Sequence, residues 1–368
     1  MNYHDEKLSF IEQWKHFTID MGPLTLTFYW EGRYTEVGHA LEKWLGIKSA
    51  SEISEAAKEK KKPHLKFVIS ASLYNDMLIT SSSRESIRTW AWEATPVNSD
   101  SLEYIYICRP RTTYKKIIAK TMPQYIVRFA NPLFNSYWEL QTGYLLYHVI
   151  LKVLYDILQN YNVTFAHAAG LSNPFGDAII IAGAGGIGKT TTAAALVFSG
   201  HWKLIADDFV LVTEEGEIYD SRLPAHIYSY HSSIVKKIGI SKIHSNQLDK
   251  IHWIIYSQIK KEGAVRRVSL PGKTRQGKLK TCFVVDVING LKEPTVKSIS
   301  HKVAANSIAR YTRAELNLPE SQSQLESSAA MLSQALAKTS CYSISINEKA
   351  RGHGLASIIV EMVGGGIK

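Results

Sequence analysis

The sequence predicts an α/β protein organised on one strand, one glycine-rich turn and one helix, with a smaller strand-rich α+β unit ahead of it. Three observations carry this. Residues 178–181 form an apolar run that reads as a buried strand, and the alanine-rich residues 192–196 read as a helix. Between them, Gly183-Ala184-Gly185-Gly186-Ile187-Gly188-Lys189-Thr190 fits G-x-x-x-x-G-K-[ST] at every fixed position. The first third of the chain instead shows short alternating segments separated by Ser, Asn and Asp.

At 368 residues the chain is long for one core and suits two domains. They are expected at 1–130 and 131–368. In the first, residues 8–20 suit a short helix or strand. Residues 24–30, LTLTFYW, suit a strand because β-branched and aromatic residues dominate them. Helical spacing of Val37, Leu41, Trp44 and Leu45 predicts a helix over 34–47. The Lys-rich segment 49–62 reads as solvated, with phosphate or acidic-peptide contact as its alternative. Strands are expected at 65–70, 86–93 and 102–108, with Trp90 and Trp92 on one face of the second. No chemistry is assigned to this domain.

Prolines 110, 123 and 132 mark the boundary region. Beyond it, Leu146, Ile150, Val153, Leu154, Ile157 and Leu158 recur at helical intervals and predict a long helix over 137–161. Residues 163–171 place His167 among small residues shortly before the glycine loop. After the loop helix, Gly200 reads as its stop, 203–206 as a strand, and Asp207-Asp208 as the strand's end. A loop is expected at 222–230, a helix at 232–240, a buried strand at 282–288, a helix at 321–337, a short strand at 341–346 and a closing element at 355–363. Lys273, Arg275, Lys278 and Lys280, and Arg266-Arg267, read equally as phosphate clamps or as solvated charge.

The chemistry follows from the loop. Glycines let successive backbone N–H groups converge on one centre, and the helix behind adds its positive end, so residues 183–191 (Gly183, Ala184, Gly185, Gly186, Ile187, Gly188, Lys189, Thr190 and Thr191) make a phosphate cradle. Lys189 would reach the β- and γ-phosphates of a bound phosphate chain, and the Thr190 hydroxyl would sit on Mg2+. Two adjacent carboxylates serve two roles: a metal ligand, and an acceptor for the proton of an attacking hydroxyl. His167 is a candidate for a place near the transferred phosphoryl group.

Composition narrows the rest. A net charge of +10 favours acidic partners, but the basic residues are scattered and no nucleic-acid-binding module is legible. Three cysteines without a CxxC pair indicate neither a disulfide framework nor a zinc site, and fit a reducing cytoplasm. The N-terminus lacks a signal-peptide plan, and His148, Lys152 and Asp156 interrupt the most apolar long helix, so no membrane span is expected.

Partition-type ATPases share a GGxGKTTT run, but they carry lysine where this chain has Ala184. The order FAHAAG, GAGGIGKT, SGHWKLIADD instead resembles the HPr serine kinase/phosphorylase family and its relatives associated with lasso-type peptides, over residues 162–212. That resemblance implies a P-loop nucleotide-binding domain of the HPr-kinase/PEP-carboxykinase-like type and an ATP- and Mg2+-dependent kinase. It makes Asp207 the carboxylate that receives the acceptor proton, Lys189 and Thr190 the phosphate and magnesium residues, and His167 the upstream histidine. Asp208 is similar in place to the neighbour of the family's acid, with metal coordination as its expected role. Thr191 departs from the family's usual glutamate, and Leu270-Pro271-Gly272-Lys273 lacks both arginines of its R-P-G-R motif. A dedicated kinase without phosphorylase activity is the expectation, acting on a serine-bearing peptide or protein or on a small hydroxyl metabolite. A P-loop switch without an acceptor is the alternative from another class, and homo-oligomerisation stays open.

Overall fold

The computed structural model describes residues 11, 13–45, 64–70, 87–89, 92–100, 103–111, 137–223, 225–228, 265–268, 273–318 and 321–364. The chain divides into two compact units, 1–154 and 155–368. The boundary expected near residue 130, the Lys-rich segment 49–62 and the helix expected at 232–240 lie outside the described residues.

The first unit holds a six-stranded sheet of β1 (Lys15–Met21), β2 (Leu24–Trp30), β3 (His64–Ile69), β4 (Ile87–Arg88), β5 (Trp92–Asp100) and β6 (Glu103–Pro110), in the order β1-β2-β3-β6-β5-β4. β2 and β6 flank β3 as parallel neighbours, and the remaining pairs are antiparallel. Every residue of β2 is buried, Thr25 and Thr27 included, so the strand is covered on both faces although Leu and Thr alternate along its first half. Phe17 lies tilted against Phe28, which stacks on Phe67, joining three strands. Helix α1 (Thr35–Trp44) buries Val37, Leu41 and Trp44, and it approaches so closely that a Cβ on Gly38 would lie 2.3 Å from the Trp30 ring. In place of the single strand expected at 86–93, Arg88 of β4 pairs with Glu93 of β5, and the Thr89 hydroxyl and amide both donate to the Trp92 carbonyl. Trp92 is fully buried, its indole N–H donating to the Gln141 carbonyl at 2.9 Å, so it packs rather than stacks on a ligand; Trp90 lies outside the described residues.

The helix expected over 137–161 forms as α2 (Tyr137–Leu145), a π-helical turn at Leu146–Ile150, α3 (Leu151–Leu158) and a 3-10 turn at Gln159–Tyr161. It stops at Asn162, whose left-handed φ of 57° turns the chain into the second unit's sheet.

That sheet contains β7 (Val163–Ala166), β8 (Ala168–Ser172) and β9 (Asp177–Gly183). After α4 (Lys189–Phe198) come β10 (Lys203–Ala206), β11 (Val210–Thr213) and β12 (Glu217–Asp220). β13 (Ala225–Tyr228) and β14 (Val265–Val268) pair separately, so a strand occupies part of the loop expected at 222–230. The main sheet is completed by β15 (Gln276–Val287), β16 (Thr295–Ser298) and β17 (Ser340–Ile346). Its order is β10-β8-β9-β15-β12-β11-β7, with β17 parallel to β15 and β16 on β17. Helices α5 (His301–Glu315), α6 (Gln322–Ala335) and α7 (His353–Gly364) complete the unit.

Alternation along the central strands assigns the layers. Ile179, Ile181, Phe283, Val285 and Ile344 face a core shared with Ala193 and Leu196 of α4 and with Leu355 and Ile359 of α7. Ile180, Ala182, Cys282 and Val284 face the opposite core, with Ala304 and Ile308 of α5 and Leu332 of α6. A mixed α/β layer structure results, with β9 at its centre. Three of the basic residues before and along β15 have side-chain partners: Lys273 pairs with buried Asp220 at 2.8 Å, Lys278 donates to the Glu215 carbonyl and Lys280 lies 3.8 Å from Asp177.

Candidate functional site

β9 delivers the chain to the glycine loop at the edge of the central layer, and α4 begins on Lys189. Two loop positions require glycine. Gly188 has φ 98°, and a Cβ there would sit 2.9 Å from the Gly352 nitrogen. Gly183 has no room for a side chain either, because its Cβ would lie 2.6 Å from the Val285 carbonyl. Ile187 is buried and pins the loop from below. No side chain caps α4, which leaves its first-turn amides directed at the loop's concavity.

Lys189 lies under this loop, buried, with Nζ donating to the Gly183 carbonyl at 2.9 Å and to the Ala184 carbonyl at 3.1 Å. Burial pulls its pKa down, while Asp208, Asp207 and Glu315 act in the opposite sense. The next residue, Thr190, donates its hydroxyl to both oxygens of Asp207, at 3.1 and 2.9 Å. Asp207 is buried at the end of β10. A three-residue turn follows, in which the Phe209 amide donates to the Asp207 carbonyl and Asp208 takes φ 65°, a conformation uncommon for a residue with a side chain. The Asp208 carbonyl accepts from the Ala168 amide, joining this turn to the start of β8.

His167 sits at the break between β7 and β8, where the chain changes neighbours: β7 pairs with β11, and β8 with β9 and β10. Its amide donates to the Thr312 hydroxyl of α5 at 2.8 Å, and its ring packs against Phe209. The ring is buried, Nδ1 has no hydrogen-bond partner, and Nε2 faces Glu315 Oε2 at 3.7 Å. Burial, seconded by the Lys189 charge and opposed by Asp208, pushes the imidazole pKa down to about 3. The contact with Glu315 is therefore between a carboxyl group and a neutral ring, not an ion pair.

The structure thus brings together residues that the sequence separates: the loop 183–191, His167 and Asp207-Asp208. It adds two groups that sequence reading missed. Glu315, last residue of α5, has Oε2 3.7 Å from where a Cβ on Gly185 would be, and burial followed by Asp208 raises its pKa. Gly352, just before α7, accepts from the Thr192 hydroxyl at 3.2 Å and backs the start of α4. The legible signal for α5 was its apolar face: Ala304, Ala305, Ile308, Ala309 and Thr312 repeat at helical spacing and carry the period to 315–316.

The donors around Thr190 are hard oxygens, one hydroxyl and one carboxylate. They fit Mg2+, which takes one or two protein carboxylates and completes its shell with water and substrate phosphate. Among the described residues no cluster of three or more His, Cys, Asp and Glu side chains forms an all-protein metal cage, and no helix is long and apolar enough to cross a membrane.

Fold and site together define a mixed α/β unit with a glycine loop between its central strand and a helix, bordered by acids. No protein-family model matches the chain, and no curated protein does. Among solved structures it is similar to the Hpr(Ser) kinase/phosphatase from Coxiella burnetii, at 12% identity and a TM-score of 0.27, over 55% of this chain and 95% of that one. A likeness this distant leaves the reading of the site to its own geometry.

Proposed function

We propose that the chain is an ATP- and Mg2+-dependent phosphotransferase that moves the γ-phosphoryl group to a serine-type hydroxyl of a peptide or protein. The observation that carries this reading is the bond from Thr190 to both oxygens of Asp207, beside a buried lysine at the head of a glycine loop. It supports a place for Asp207 on the metal together with Thr190, in place of the proton-accepting role expected for Asp207 and the metal role expected for Asp208, and so leaves the acceptor's proton to another carboxylate. When bound, Mg2+ would neutralise charge on the β- and γ-phosphate oxygens.

The chain's own residues do the remaining work. Loop amides and the N-terminal end of α4 hold the phosphate chain. Lys189 exchanges its two carbonyl partners for β- and γ-oxygens and stabilises the charge that develops as the bond to the leaving ADP breaks. His167, neutral at physiological pH, contributes no charge of its own and serves as a rigid wall held by Thr312. Asp208 adds negative charge beside Lys189, keeping the lysine protonated in its buried setting. The free, buried thiols of Cys108, Cys282 and Cys341 are consistent with action in the cytoplasm.

The test is incubation with γ-labelled ATP and Mg2+, with and without serine-bearing peptides. Label on a peptide, abolished in Asp207→Asn, is the expected result. Label on a small hydroxyl compound alone would move the acceptor class. ATP consumption that never labels an acceptor and survives Asp207→Asn would sink the kinase reading in favour of a nucleotide-dependent switch.

A further inference from the structure

With Asp207 placed on the metal beside Thr190 in the proposed transfer, a different group is needed to take the acceptor's proton. That group must stand at the γ-phosphate end of the loop and be reachable from solvent, because the acceptor enters from there. Glu315 meets both conditions. Its side chain is 46% exposed, its Oε2 lies 3.7 Å from the Cβ position of Gly185, and it interacts electrostatically with Lys189, the residue that reaches the β- and γ-phosphates. The groups that face it are Lys189 from α4, Asp208 from the β10–β11 turn and His167 from the β7–β8 break.

Its position is built into the fold. α5 is fixed one turn earlier by Thr312, which accepts from the His167 amide and donates to the Ile308 carbonyl, both at 2.8 Å. Residues 312 and 315 lie on one face of a helix, so the bond that anchors the histidine also aims the glutamate over the loop. Asp208 is the competing acid, but it sits inside a tight turn whose backbone is committed to β8.

We infer that Glu315 is a further catalytic residue, the base that takes the proton of the attacking hydroxyl; the assignment rests on the phosphotransfer reading. As the acceptor oxygen forms its bond to the γ-phosphorus, the O–H proton passes to the Glu315 carboxylate. The bond from the γ-phosphorus to the bridging oxygen breaks, and its electron pair leaves with ADP. Glu315 then returns the proton to solvent. A carboxyl group whose pKa is raised by burial suits this task better than an ordinary one, since it holds the proton more firmly.

The experiment uses the full chain, with water as acceptor: binding of a fluorescent ADP analogue with Mg2+, and single-turnover ATP hydrolysis across pH 5–9, for wild type, Glu315→Gln and Asp208→Asn. Glu315→Gln is expected to bind the analogue within about threefold of wild type, which also reports its fold. Its turnover is expected to fall by about 10²-fold or more, with loss of the acid limb that the wild type shows. Glu315→Gln turnover within threefold of wild type, or an acid limb abolished by Asp208→Asn and retained in Glu315→Gln, overturns the assignment while leaving phosphotransfer intact. A wild type that binds no analogue with Mg2+ overturns the phosphotransfer reading and this assignment together.

Discussion

The buried, neutral His167 makes the second unit acid-sensitive in a way that can be worked out in advance. Its ring must lose its proton to fold: the pKa is about 3 in the structure, against about 6.5 for an exposed imidazole. A depressed folded-state pKa means the unfolded chain binds more protons between those two values. Stability is then fully present above pH 6.5 and is lost progressively as pH falls toward 3. At pH 5.5, one unit below the unfolded pKa, the loss from this single group is about 1.4 kcal/mol, and at pH 4.5 about 2.7 kcal/mol. The charged groups that face the ring, Lys189, Asp208 and Glu315, remain in a His167→Gln variant, so the difference between the two proteins isolates the histidine. Urea melts of both at pH 7.5, 6.5, 5.5 and 4.5 read it directly. The variant is expected to be less pH-sensitive by about those amounts, whatever its absolute stability at pH 7.5. Parallel curves for the two proteins over this range would refute the burial argument and place a proton on His167 in the folded state.

Other perturbations probe the scaffold of the same site. Gly188→Ala combines a left-handed backbone with a Cβ 2.9 Å from the Gly352 nitrogen; it should cost of order 1–3 kcal/mol in a thermal melt and weaken nucleotide binding. A melt indistinguishable from wild type would show that residues 351–353 yield freely. Thr312→Val leaves the buried His167 amide without its acceptor, for an expected loss of about 1–3 kcal/mol by urea denaturation, whereas an unchanged midpoint would contradict the anchoring of α5 to the β7–β8 break.

How far the sequence carried these features depends on how local their causes are. The glycine loop, its flanking strand and helix, and the acids closing β10 are set by neighbouring residues, so their order could be read from the chain. The alternation that splits Ile179 and Ile181 from Ile180 and Ala182 was equally visible, but which helices cover each face was not, because α5, α6 and α7 come from more than a hundred residues downstream. Glu315 escaped for the same reason: its place beside the loop is fixed by a hydrogen bond between His167 and Thr312, a pairing no local pattern encodes. The break at Thr89 and the hydrogen bond that holds Trp92 inside the first unit likewise depend on partners that spacing alone does not reveal. For the basic residues near β15 the sequence left a phosphate clamp and solvated charge equally open, because the partners of Lys273, Lys278 and Lys280, which are Asp220, the Glu215 carbonyl and Asp177, come from distant segments.

The central claim is that the loop headed by Lys189 binds the phosphates of ATP, and one titration addresses it most directly. Calorimetric binding of ATP with Mg2+ is compared for wild type and Lys189→Met, a substitution that keeps the length of the buried side chain and removes its charge. Loss of charge-assisted bonds worth about 1.5–3 kcal/mol predicts affinity weakened roughly 10- to 150-fold, with the protein still folded. Equal affinities for the two proteins, or no binding by the wild type, would contradict the account.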